Sequence, residues 1–135
     1  MNKTTEKIIV NTLCKKLSPF LIILFGSTVN GTANEDSDID IAFLSDEKSL
    51  DQYEIFMIGQ ELAAALNQDV DLIDLNQAST VLQAQIASTG KIIYCTNELK
   101  KSQFELKAFK MYAKLNEERY PVLKKIDESG SVYEE

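Results

Sequence analysis

The chain contains no histidine. Ser-His-Asp and Cys-His catalysis are thereby excluded, and so are zinc sites built on imidazole. Any metal is expected on oxygen ligands, and the expected general base is a carboxylate. Cysteine is nearly as scarce. Cys14 and Cys95 both lie in apolar segments, which predicts buried free thiols in a reducing compartment and no disulfide framework. Long apolar runs are missing too. The longest, FLIILF at 20–25, is far too short for a bilayer, and MNKTTEK at the N-terminus leads into no apolar signal core. A cytoplasmic protein without membrane association is expected.

Basic charge is the next shortage. Lys and Arg number 14 against 21 Asp and Glu, a formal charge of −7. Direct nucleic-acid binding, which relies on clustered cations to neutralise phosphates, is not expected. The cations that exist gather late, from Lys100 to Lys125, as on the solvated face of a helix. Five glycines and two prolines are too few for a flexible linker, and no repeat or low-complexity tract interrupts the chain. At 135 residues a single domain is expected, over 1–128, with a disordered tail at 129–135.

What the chain does have is alternation. Ile8, Ile9, Leu13 and Leu17 recur at helical spacing and predict a helix over about 3–17, stopped by Pro19. FLIILF reads as a buried strand, DIDIAFL (38–44) as a second, DVDLIDL (69–75) as a third and KIIYC (91–95) as a fourth. Helices are expected over 50–68, with Ile55, Ile58, Leu62, Ala65 and Leu66 on one side, over about 77–88, and over about 98–118. Pro121 should end the last of these or open another. In that last helix Leu106, Phe109 and Ala113 are the expected core stripe. Phe104, Met111, Tyr112 and Leu115 add apolar groups on other sides, a surplus suited to a partner. Helices alternating with strands give an α/β (α+β) fold around a small sheet.

One stretch carries chemistry. In LFGSTVNGTANEDSDIDIAFL (24–44) a buried strand breaks at Gly26-Ser27, and the next strand begins with Asp38 and Asp40. Strand residues two apart share a face, so the two carboxylates project together while Ile39 and Ile41 enter the core. Asp71 on the third strand can join them. At about 4 Å two such charges repel by about 1 kcal/mol in water and about 4 kcal/mol at an effective dielectric of 20. Three convergent acids therefore call for a cation, and hard oxygen donors alone suit Mg²⁺. Gly26 admits a close backbone, and Ser27 offers a hydroxyl and an N–H for an anion. One site needs both segments at the same end of the sheet. Strand one must then run antiparallel to strand two, and strand three parallel to it, because a five-residue strand separates its ends by about 17 Å.

GSTVNGTANEDSDIDIAF, Gly-Ser followed by a spaced Asp-x-Asp, resembles the signature of the polymerase-beta-like nucleotidyltransferases. The chain is similar over nearly its whole length to their smallest members, the MNT (minimal nucleotidyltransferase) antitoxins of HEPT/MNT toxin–antitoxin pairs. DVDLIDLNQASTVLQAQIASTGKIIYC resembles that group's third-acid strand, helix and closing strand, and KAFKMYAKLNEERYPVLKKI its C-terminal helical region. The resemblance implies a small mixed sheet flanked by helices and a Mg²⁺-dependent protein adenylyltransferase. It would transfer AMP from ATP to a tyrosine of a cognate HEPT-type RNase toxin and so neutralise it.

Carried over residue by residue, Asp38 and Asp40 bind two Mg²⁺ ions and Gly26 and Ser27 hold the triphosphate. Asp71, preferred to Asp69 because it sits inside the strand, is the third catalytic acid and metal ligand. The chain departs from the pattern at Asn30, where many relatives carry Arg. Two rival readings stay open at this point: a small-molecule nucleotidyltransferase of the antibiotic-modifying kind, and a catalytically silent antitoxin acting by binding alone.

Overall fold

A computed structural model describes residues 2–28, 38–46 and 50–129, the side chains of Ser27 and of 119–129 excepted. The elements run α1 (Lys3–Leu17), β1 (Leu21–Phe25), a 3₁₀ turn (Gly26–Thr28), β2 (Ile39–Leu44) and α2 (Gln52–Leu66). They continue with β3 (Val70–Asp74), a second 3₁₀ turn (Leu75–Gln77), α3 (Thr80–Thr89), β4 (Lys91–Cys95) and α4 (Glu98–Ser129). Helix starts follow side-chain chemistry. Asn2, Asp51 and Ser79 each accept a hydrogen bond from a backbone N–H three residues on, at 2.8, 2.8 and 3.1 Å, satisfying donors a helix leaves orphaned. Ser18, in the left-handed conformation, caps α1 just before Pro19. The Ser45 hydroxyl donates to the Leu17 carbonyl at 2.8 Å and ties that helix end to the end of β2.

The sheet order is β3-β2-β1-β4. β1 is antiparallel to both β2 and β4, and β2 is parallel to β3. This is the arrangement that a shared Gly-Ser and Asp-x-Asp site demands. Side-chain alternation gives the sheet two covered faces. Ile22, Leu24, Ile39, Ile41, Phe43 and Leu72 meet α1 and α2 through Ile9, Leu13, Ile55 and Leu62. Leu21, Ile23, Ala42 and Leu44 meet α3 and α4 through Leu82, Ile86 and Phe104.

Several expectations need correction. The helix after β3 starts at Thr80, because Leu75–Gln77 forms a separate turn. Cys14 and Cys95 are free, but only half-buried. α4 continues through Pro121, which neither ends it nor opens another helix. Its core stripe is not Leu106, Phe109 and Ala113. Leu106 is 71% exposed and Ala113 is exposed, whereas Ala108 is buried and Phe104 packs against the core. The inward face is thus set by residues four apart, one row round from the expected one. The expected tail, apart from Ser129, and Asn30 lie outside the described residues. Among the described residues no helix is long and apolar enough to cross a membrane.

Candidate active site

β2 delivers its two acids as a strand must. Ile39 and Ile41 are buried beneath the sheet, so Asp40 between them points to the opposite face, and Asp38, just before the strand, lies on that same side. Asp38 is exposed and Asp40 half-buried. On one flank Asp40 is level with Phe25, the last residue of β1. On the other it is level with Asp71 of the parallel strand β3. Residues in register on adjacent strands leave the same face of the sheet, so Asp40 and Asp71 face out together. The carboxylates of Asp38 and Asp71 are both open to solvent.

The turn after β1 is built around Asp40. Gly26 has φ +64°, a left-handed conformation that side chains disfavour. A Cβ there would also collide with Oδ2 of Asp40 and lie 3.2 Å from its Cγ. Glycine therefore serves two needs at once, the turn and the close approach of a carboxylate. The backbone N–H of Asp40 donates to Oγ1 of Thr28 at 3.0 Å, pinning the turn to β2 across 12 residues of chain. Thr28 was not singled out from the sequence. Its signal is the register itself: with Phe25 opposite Asp40, a hydroxyl three residues on falls beside the start of β2. Ser27 sits in the same turn.

Electrostatics report the convergence. The Asp40 carboxyl is raised above the usual carboxylate range, first by burial, then by the negative charges of Asp71 and Asp38. Each cause disfavours the charged form. Asp69 is not among those causes; it precedes β3, and its carbonyl accepts from the Ile39 N–H at 2.9 Å. Asp74 has the opposite strand parity and caps Asn76 at 2.9 Å. The acid level with Asp40 is Asp71.

Among the described residues no three acidic or thiol side chains stand close enough, as oriented, to hold an ion. The fit to a divalent cation rests instead on the donor set. Three aspartates emerge at one end of two paired strands, all hard oxygen donors, and each of the influences that raises Asp40 is offset by a cation. Rotation of the solvent-exposed Asp38 and Asp71 side chains is what closing around an ion requires.

Residues 6–99 match the family model of polymerase beta, nucleotidyltransferase. The chain is similar to the protein adenylyltransferase MntA of Shewanella oneidensis, with 43% identity over 103 residues, 76% of this chain and 73% of that one. It is also similar to a toxin–antitoxin crystal structure with AMP-PNP, with a TM-score of 0.81 and 38% identity, covering 90% of this chain and 97% of that one. A complex of tri-AMPylated Shewanella oneidensis HEPN toxin with MNT antitoxin gives a TM-score of 0.78 and 35% identity, covering 93% of this chain and 98% of that one.

Proposed function

The chain belongs to the polymerase beta nucleotidyltransferase family, and on that premise we propose that it is a protein adenylyltransferase antitoxin. In this reading it transfers AMP from ATP to a tyrosine of a cognate HEPT-type toxin, an RNase, and thereby silences it in the cytoplasm. The observation that carries the reading is the register that sets Asp40 level with Asp71, with the Gly26 turn folded against the Asp40 carboxylate. It occurs in a chain 43% identical to a protein adenylyltransferase over three-quarters of its length.

Asp38 and Asp40 would hold two Mg²⁺ ions, and Asp71 would complete the ligands of one. Bound there, Mg²⁺ supplies neutralisation of the phosphate charge and stabilisation of the attacking and leaving oxygens. The rest belongs to the chain's own residues. The turn at Gly26 and Ser27 cradles the triphosphate, since a backbone without Cβ at Gly26 lets phosphate oxygens approach. Asp71 orients the acceptor hydroxyl and takes its proton. A phenol has a pKa of about 10, so at neutral pH this proton must be drawn off as the bond forms. The tyrosine oxygen attacks the α-phosphorus in line, the bond to the β-phosphate bridging oxygen breaks, and pyrophosphate leaves.

The test is to incubate purified toxin with this protein, ATP and Mg²⁺, then measure toxin mass and RNase activity. The expected result is a mass gain in whole AMP units, mapped to tyrosine, with loss of RNase activity. Neutralisation without any mass change would make the chain a silent binding antitoxin. AMP transfer to an aminoglycoside with no effect on the toxin would make it a small-molecule enzyme.

A further inference from the structure

The proposed chemistry needs two parts held at a fixed spacing, the phosphate turn at Gly26-Ser27 and the metal ligand Asp40. They belong to different segments of the chain, and two kinds of contact join them. One is made by the Asp40 side chain, whose Oδ2 lies so close to Gly26 that a Cβ there would collide with it. A carboxylate rotates about its side-chain torsions, and a bound cation would draw it away. That contact therefore does not set the spacing once a metal is held.

The other contact is made by the Asp40 backbone. Successive N–H groups of a strand point to opposite neighbours. The Ile39 N–H donates to the Asp69 carbonyl on the β3 side at 2.9 Å, so the Asp40 N–H points toward β1. There β1 ends at Phe25, level with Asp40, and the chain turns away at Gly26. The acceptor that meets the Asp40 N–H is the side-chain Oγ1 of Thr28, at 3.0 Å. Thr28 is half-buried and follows Ser27 in the same 3₁₀ turn. Its bond does not involve the carboxylate, so Asp40 can turn onto a cation without breaking it.

We propose that Thr28 is a positioning residue for adenylyl transfer, whose hydroxyl fixes the spacing between the phosphate turn and the carboxylate of Asp40. This rests on the adenylyl-transfer reading above and adds to it the group that couples its two halves. The role belongs to the hydroxyl. Valine has the shape of threonine and accepts no hydrogen bond, whereas serine does accept one. In Thr28→Val the turn and the acids both remain, and what goes is their fixed relation. Nucleotide and metal then assist each other's binding less.

The experiment compares full-length wild type, Thr28→Val and Thr28→Ser. Transfer to purified cognate toxin gives kcat and KM for ATP, calorimetry gives the affinity for AMP-PNP with Mg²⁺ and in chelator, and melting reports the fold. Thr28→Val should lose roughly tenfold in AMP-PNP affinity with Mg²⁺, the size of one hydrogen bond, and nothing in chelator. Its kcat at saturating ATP should fall roughly tenfold or more, as reacting groups lose alignment. Thr28→Ser should recover most of both losses. A merely structural hydroxyl gives another pattern, a lower melting temperature with wild-type kcat and Mg²⁺-dependent affinity per folded molecule, and that result would overturn the proposal. So would equal losses in Thr28→Val and Thr28→Ser, or an affinity loss as large in chelator as with Mg²⁺. If wild type transfers no AMP, the adenylyl-transfer reading falls, and the AMP-PNP affinities still decide the role of Thr28. A wild type that binds no AMP-PNP would overturn both.

Discussion

Asp40 is held in a position that raises its carboxyl above the usual range through burial, Asp71 and Asp38. A group whose folded-state pKa is raised binds its proton more tightly in the folded chain, so its contribution is most favourable at low pH. That contribution is lost as pH rises through the folded value. Without metal, Asp40→Asn should therefore melt at a higher temperature than wild type at pH 7, and the gap should close as pH falls toward 4 and below. Calorimetric melting across that range, in chelator, checks it; an Asp40→Asn protein less stable at pH 7 would mean that the ionised carboxylate is satisfied by contacts other than a cation. Gly26 is the complementary case. Gly26→Ala places a side chain in left-handed backbone, at about 1–2 kcal/mol, and displaces the Asp40 carboxylate. Transfer should fall on the order of 10²-fold, as for misplacement of a reacting group by about 1 Å. Transfer at the wild-type rate would remove Gly26 from the site.

At the scale of elements, the strand order was legible because chemistry constrained it. Gly-Ser at the exit of one strand and Asp-x-Asp at the start of the next leave only an antiparallel pair, as β1 and β2 are. The acids at the start of β3 leave only a parallel pairing with β2. The face of α4 was not legible. Apolar residues recur around that helix in more than one phase, and only packing against α3 and the sheet selects Phe104 and Ala108 over Leu106. Thr28 was missed for a related reason, since its bond to Asp40 depends on a register that no single segment contains. α2 shows which packing can be altered without touching chemistry. Leu62 is fully buried on the face opposite the acids, and Leu62→Ala should destabilise by about 2–5 kcal/mol. Urea unfolding measures the loss, and transfer per folded molecule should stay at the wild-type level. A specific loss of transfer would mean that α2 packing positions Asp71.

For the whole molecule, charge is divided along the chain. Cations stand at both ends of the sequence and acids fill the middle, where β2 and β3 bring Asp38, Asp40 and Asp71 out on one face. In the proposed function those acids gather Mg²⁺, and their carboxylates, not contact alone, silence the partner. The most direct measurement is the intact mass of toxin co-purified with wild type and with Asp38→Asn/Asp40→Asn protein. Toxin should be bound to both, carrying whole AMP units with wild type and none with the double variant. AMP on the toxin at undiminished occupancy with the double variant would contradict it.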